Sequence, residues 1–473
     1  MAGGYSILAA ALIWFAIEPS SSMKVGIIGG GISGTSSAYF LRKAFGDELQ
    51  IDLFEGNGIG GRLSTINVDG CVYETGGSVI HQKNQYASKL AAALGIKQIS
   101  SQEDFDLLGI YNASDFLFIG SGNSWWNALK LMWRYGLDLI RLDRYTTDLL
   151  TKFESIYETQ EKRKCFSNLD DLMYHIHPSF LEHMRVSTKA GFERAGFSDK
   201  IIDELIEATL RCNYGQTTSV HQFVGSVSVA GGGSELFALE GGNKLLPEKM
   251  LEFSRANLIE EFVETVAVKD QQFIVKTNSV ANTYDAVIVS TPLTADPGRP
   301  NRIKFENFPV EISVPGKYWT TICTIVKGII NPTFFGLKSQ QDLPTIIINV
   351  APEPLFNSIG KLRPVQKCKE SEVWKIFSLE ALDGSVIDQI FSEVSFVETI
   401  DWLAYPTYKS SSTNVNFTLY NRLFYSNAME WSASAIETSL IGARNVALLA
   451  EQSLRTGGDL PSDEPSSIVN DEL

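Results

Sequence analysis

The spacing of apolar positions changes several times along the chain, and each change predicts an element. Residues 25–28 are a short apolar run of the kind a buried strand makes, followed by a glycine turn and a helix that stops at Gly46. Residues 51–54 form a second apolar run that ends on Glu55, so residues 24–55 read as one strand–helix–strand unit. The spacing then turns helical, over residues 86–94 (closed by Gly95), 125–142, 151–165, 169–176, 179–191 and 199–211. Within this block residues 105–118 carry β-type residues and predict a hairpin around Gly109. Strand spacing returns at 263–268 and 273–277, a predicted hairpin, and at 285–292, a buried strand expected to rejoin the parallel sheet. Runs at 320–326, 345–349 and 373–379, set among Pro-rich loops, predict a second sheet. A last strand and turn over 423–431 precede a helix from 434 to 454, whose N-terminus is expected to point at a cofactor.

This order predicts an α/β chain: a Rossmann-type dinucleotide domain with an inserted α+β substrate domain. The dinucleotide domain is expected to be discontinuous, from residues 23–84, 225–296 and 411–455, with 85–224 and 297–410 forming the cap. At 473 residues and 44% apolar, the chain has enough material for two such cores. A formal net charge of −15 leaves no basic excess for nucleic acid.

The chemistry starts at the first turn. Gly29, Gly31 and Gly34 form G-x-G-x-x-G. The first permits the tight turn, the second lets a pyrophosphate approach the backbone, and the third lets helix and strand pack. Phosphates would sit on the helix N-terminus, and Glu55, about 20 residues on, would bond a ribose hydroxyl. A nicotinamide enzyme needs nothing more, but here Gly60, Gly61 and Arg62 follow, then Glu74-Thr75-Gly76-Gly77-Ser78. The Gly-Gly-Arg after the second strand resembles that of one large flavoprotein class, which implies FAD, with Arg62 as a bidentate fork for phosphate. Residues 73–78 are expected to pass beside the flavin. Glycines in Glu240-Gly241-Gly242-Asn243 are expected to bring backbone close to the isoalloxazine or ribityl chain.

The stretches GGGISG, GIGGRL, YETGGSVIH, LRCNYGQ, LEGGNKL and LFYSNAMEWSASAIETSLIGARNVALLAE together resemble prenylcysteine oxidases, FAD-dependent thioether oxidases, over about residues 23–451. The resemblance implies oxidation of farnesyl- or geranylgeranylcysteine at the carbon between sulfur and alkene, with water and molecular oxygen giving free cysteine, a prenyl aldehyde and hydrogen peroxide. It implies Gly29, Gly31, Gly34, Glu55, Gly61, Arg62, Gly77, Val263 and Glu430 as FAD contacts, Val263 at the adenine and Glu430 near the pyrophosphate or ribityl chain. His81, four residues past Gly77, is the candidate catalytic group, to position the attacking water or take its proton. His221 and Tyr214 are further candidate cavity groups. Two other readings keep the fold: a flavin amine oxidase, and a silent FAD-containing prenyl-ligand or lipoprotein-associated binding protein.

The ends and the cysteines concern the compartment. An apolar run over residues 5–17, too short to span a bilayer comfortably, then Ser20, Ser21 and Ser22, reads as a signal peptide covering residues 1–22, with an uncleaved anchor as the alternative; no other run is long and apolar enough to span. Asn112 and Asn416 are glycosylation sequons. Residues 456–473 read as a disordered tail ending Asn-Asp-Glu-Leu, similar to an endoplasmic reticulum retrieval signal. The resemblance implies the lysosome, with the reticulum lumen or secretion as alternatives. The five cysteines lack C-x-x-C spacing, which argues against a zinc site or a dithiol redox motif, and their odd number in an oxidising compartment leaves at least one free or intermolecular thiol.

Overall fold

The computed structural model describes residues 23–100, 107–232, 236–296, 303–312, 315–369, 371–410 and 415–456. The expected signal peptide and the C-terminal tail with its Asn-Asp-Glu-Leu ending lie outside them, save for Thr456.

One six-stranded sheet runs in the order Asn257–Ile259, Leu49–Phe54, Met23–Ile28, Ala286–Val289, Leu423–Tyr425 and Thr418–Tyr420. The first five pair in parallel and the last is antiparallel. Three distant parts of the chain therefore build one sheet. Its central strands are nearly all buried because helices cover one face: Ile32–Phe45 packs between Leu245–Ser254 and Ile436–Thr456. The meander Thr265–Lys269, Gln272–Lys276 and Ala281–Tyr284 forms a separate sheet, joined by Lys304–Glu306.

The second core lies under a seven-stranded sheet ordered Phe391–Pro406, Tyr318–Ile330, Val373–Ser378, Ser358–Lys361, Ile346–Asn349, Leu108–Tyr111 and Phe116–Ile119. The helical block joins the two.

Several expected elements are redrawn. The early hairpin turns at residues 112–115, with Gly109 inside a strand where a Cβ would lie 2.7 Å from Phe116 and Pro344. Phe105 lies outside the described residues. The helix expected over 125–142 is two, Ser124–Tyr135 and Asp138–Phe153, split at Gly136 with φ +58°. Residues 151–165 divide between the end of that second helix and Ser155–Glu161, and residues 179–191 between Pro178–His183 and Thr188–Arg194. Residues 199–211 stay helical, but Ile202–Ile206 is π-helical, one residue wider per turn, before Glu207–Tyr214. Cys71 and Cys368 form a disulfide, and Cys165, Cys212 and Cys323 are not disulfide-bonded.

Candidate functional site

A continuous cavity of ≈ 2150 Å³ runs from the glycine turn, past residues 62–81, into a chamber between the helical block and the seven-stranded sheet. Single small-molecule pockets are about 300–1,000 Å³, so this space suits a cofactor and an extended second ligand together.

The glycine turn forms one end. At Gly29 φ is +111°, and a Cβ would lie 2.9 Å from the Ser290 carbonyl oxygen. At Gly34 a Cβ would fall 1.9 Å from the Gly29 carbonyl oxygen, so helix and strand can approach only without a side chain. Gly31 differs: a Cβ there would meet nothing nearer than Gly60 O at 3.8 Å, and the residue lines the cavity. The protein itself does not demand glycine at that position; a ligand in the open space does. Glu55 lines the same end, with its carboxylate oxygens accepting the Gly30 and Asn57 N–H groups at 2.8 and 2.7 Å. Each oxygen keeps a second lone pair for a hydroxyl. Val263, buried just before the strand Thr265–Lys269, also lines this end. The open cradle on a helix N-terminus, the acid on the strand end and the length of the cavity fit FAD.

Gly61, Arg62 and Gly77 line the middle of the cavity. Gly77 donates its N–H to Arg62 O at 3.1 Å and accepts Asn243 Nδ2 at 2.9 Å. The Arg62 guanidinium is held by the buried Glu430 through both carboxylate oxygens, and by Ala404 O at 2.6 Å. Tyr318 donates to the same carboxylate at 3.0 Å. Burial works against the Arg62 charge, but the Glu430 carboxylate outweighs it and holds the guanidinium above its ordinary range. Glu430 does not reach the cavity wall as expected; it stands behind Arg62 and fixes its plane.

The Gly241–Gly242 turn also differs from expectation. Neither glycine lines the cavity; a Cβ on Gly242 would lie 3.2 Å from Thr65 and 3.4 Å from Glu74. The turn works from behind, through Asn243, whose N–H donates to Glu74 Oε1 at 2.5 Å while its amide holds Gly77.

His81 lines the cavity beside this segment. Its Nδ1 accepts the Lys83 N–H at 3.0 Å, so the neutral ring carries its proton on Nε2. Nε2 is buried and has no hydrogen-bond partner. Burial, then the Lys83 charge, hold the ring below its ordinary pKa. His81 is therefore placed to donate a hydrogen bond rather than to take a proton at Nε2. Tyr214 lines the cavity, but His221 does not: it caps the helix Gln222–Ala230, donates to Trp431 O at 3.1 Å, and is held neutral by burial, with its pKa lowered to about 4.

One group here escaped the sequence reading. Lys375, fully enclosed on the strand Val373–Ser378, lines the cavity and donates to the carbonyls of Gly76 at 3.2 Å and Glu74 at 3.5 Å. Burial lowers its pKa, and burial raises that of Glu74 to about 6, against the pull of the Asn243 N–H and Lys375. The available signal was a lone lysine inside the apolar run Val373, Trp374, Ile376, Phe377. The far chamber is apolar, with Phe118, Leu131, Met132, Leu149, Phe153 and Phe223 among its walls. Among the described residues no group of three or more His, Cys, Asp or Glu side chains could hold a metal ion.

Comparison with solved structures places this fold beside a Brevibacterium oxydans cyclohexylamine oxidase (TM-score 0.60, 14% identity, 92% of this chain and 100% of that one). A putrescine oxidase variant matches similarly (TM-score 0.59, 14% identity, 90% and 99%). At that identity the likeness is one of fold. A profile for NAD(P)-binding Rossmann-like domains matches residues 27–94. Human prenylcysteine oxidase 1 is 37% identical over 451 residues, covering 90% of this chain and 88% of that protein. The bovine protein is 36% identical over 454 residues with the same coverage, and human prenylcysteine oxidase 1-like is 31% identical over 448 residues, with 90% of each covered. The profile described as prenylcysteine lyase matches residues 118–461, and with these relatives it establishes that the chain belongs to the prenylcysteine lyase family.

Proposed function

We propose that this protein is an FAD-dependent oxidase that cleaves the thioether of prenylcysteines. The observation that carries the reading is one cavity with a dinucleotide cradle at one end and an apolar chamber at the other, in a chain of this family. A prenyl chain matches the chamber, and the thioether carbon would then lie near residues 76–81. FAD, when bound, supplies the two-electron acceptor for the C–H bond between sulfur and alkene. The chain's own residues bind and orient. Gly31 and Val263 admit the dinucleotide, Glu55 takes a ribose hydroxyl, and Arg62, held flat by Glu430, faces the cofactor. Lys375 and Asn243 pin Gly76 and Gly77 from behind. His81 Nε2–H offers a donor to the water that adds to the oxidised carbon. The balance is thioether, water and oxygen in; cysteine, prenyl aldehyde and hydrogen peroxide out.

The secretory route belongs to the same proposal: residues 1–22 as a signal peptide and the lysosome as destination. The Cys71–Cys368 disulfide supports an oxidising route. Asn112, in an exposed turn, suits a glycan better than Asn416, whose neighbours Val415 and Phe417 are buried. Replacing Asn470 would test the Asn-Asp-Glu-Leu ending, with reticulum retention lost only if it acts as a signal.

The deciding experiment is the visible spectrum of the purified protein before and after anaerobic farnesylcysteine. Flavin bands that bleach, with one free thiol and one prenyl aldehyde formed per flavin, are expected. Bands that bleach only with amines would sink the thioether reading in favour of an amine oxidase. Flavin that no prenylcysteine bleaches would leave a binding protein.

A further inference from the structure

The helix Ser124–Tyr135 and the start of its successor Asp138–Phe153 carry a surface that the cavity chemistry does not explain. Trp125 is 65% exposed, Trp126 54%, Trp133 91% and Leu137 71%, with Leu129 beside them. Single exposed apolar residues are ordinary; three tryptophans and two leucines on adjoining turns are not. Trp126, Lys130 and Trp133 recur at helical spacing and share one outward stripe of the first helix, and Leu137, just past the break at Gly136, is exposed at the start of the second. The helix's other side faces in: Leu131 and Met132 line the cavity, as do Leu139 and Ile140 on the next helix. The same two turns thus present apolar groups to the cavity and to the outside.

The charge around the stripe is also unlike that of the rest of the chain. Between Asn123 and Leu137 the only charged residues are Lys130 and Arg134, in a chain of formal net charge −15. Arg134 is paired with Glu204, while Lys130, exposed between Trp126 and Trp133, donates one hydrogen bond to Ile119 O at 3.1 Å and keeps its charge without an acidic partner among the described residues. The exposed Arg144 follows Leu137 by two turns, and its neighbour Asp143 is exposed as well, at the edge of the cavity. On the first helix the exposed tryptophans are interleaved with cations and no acid, as in a helix lying in a lipid headgroup region; the acids Asp143 and Asp148 are on the second helix. The overall negative charge opposes this weakly, because ionic screening confines such forces to about 8 Å at physiological salt.

We infer that this face docks on an anionic lipid bilayer, with Trp125, Trp126, Trp133 and Leu137 in the headgroup–acyl boundary and Lys130 and Arg144 on the phosphates. Docking does not depend on the proposed reaction. Its consequence does: if the substrate is a prenylcysteine, which partitions into lipid, the helix pair that lines the cavity also rests on the membrane that holds the substrate.

The test is flotation of the full chain, flavin bound, with vesicles of phosphatidylcholine containing phosphatidylserine, and with phosphatidylcholine alone. Wild type is expected to float with the anionic vesicles, with a blue shift of tryptophan emission and release by salt. Trp125→Ser/Trp133→Ser/Leu137→Ser is expected to lose about tenfold or more in partitioning, and Lys130→Glu to lose the preference for phosphatidylserine. Both should keep the flavin spectrum and the turnover of a soluble short-chain thioether. No flotation of wild type overturns the inference. So does equal flotation of wild type and triple variant, which would place membrane binding elsewhere, for example in the apolar residues 5–17. A wild-type dimer that the triple variant converts to monomer, without change in flotation, makes the face a contact between copies and overturns it too. Lys130→Glu changes one exposed side chain and decides the charge argument even if the triple variant does not fold. Failure of the thioether assay leaves the flotation result standing, so the two readings fail separately.

Discussion

At the scale of single residues, the three fingerprint glycines make different predictions. Gly31→Val places a side chain in open space, so the fold should persist and flavin should be lost. Flavin absorbance per protein should fall about tenfold or more, with the far-ultraviolet circular dichroism unchanged. Gly34→Ala drives a methyl group into the Gly29 carbonyl, and should cost about 3 kcal/mol in urea unfolding, with flavin lost as a consequence. His81→Leu removes a buried, unpartnered donor from the cavity wall beside residues 76–78 and should lower kcat by about a hundredfold, with flavin retained and His81→Gln restoring part of the loss. Glu74 adds a pH signature. Burial raises its carboxyl from 4.5 to about 6, so between those values the folded protein holds a proton that the unfolded chain has released. That contribution is whole below 4.5 and is lost as pH rises through 6, a loss of about 2 kcal/mol by neutral pH. Glu74→Gln should therefore match wild type near pH 4.5 and exceed it by about 2 kcal/mol at pH 7.5, and equal urea midpoints at both values would refute the argument. The glycines were legible because their local spacing states their role. Glu74 and Lys375 were not, because their roles come from strands brought together across 300 residues of chain, which no local pattern records.

At the scale of elements, the legible part was the type of each segment, and the illegible part was where segments break. Residues 169–176 carry their own stop signals and were read at their observed bounds. Residues 125–142 read as one helix because the apolar spacing runs straight through Gly136, yet its φ of +58° ends the first helix and turns the second. That break lets the two helices line the cavity from two directions. The pairing of Arg62 with Glu430 is the other feature seen only when elements meet. It ties the Gly-Gly-Arg turn to the short helix Ser426–Trp431, so both cofactor-proximal segments move as one. Glu430→Ala should leave a buried guanidinium uncompensated and cost about 3–5 kcal/mol, whereas breaking an exposed, solvent-screened pair such as Lys162 with Glu158 should leave the urea midpoint close to wild type. A urea midpoint for Glu430→Ala equal to wild type would show that Arg62 finds another partner.

At the scale of the whole molecule, the question is what keeps a cavity of this size from loosening its two cores. The dinucleotide sheet and the seven-stranded sheet each bury their own apolar clusters. A smaller cluster between them takes Val68 and Tyr73 from the hairpin Thr65–Val68 and Cys71–Glu74, and Ile325 and Val373 from the second sheet. Cys71–Cys368 closes that seam covalently, across 297 residues of sequence. The cysteine spacing could not disclose the pairing, since connectivity depends on which surfaces meet. A cross-link over so long a loop restricts the unfolded chain strongly, and its loss should cost about 2–5 kcal/mol. Cys71→Ser/Cys368→Ser should therefore unfold at a lower temperature than wild type, and a reductant should lower wild type to the same value while leaving the variant unmoved. Because the bridge joins the hairpin that leads into Gly76–Gly77 to the sheet that carries Lys375, its loss should also raise KM for the thioether before it affects flavin content. A variant with wild-type melting temperature and KM would mean that the apolar seam alone holds the cofactor wall against the substrate sheet.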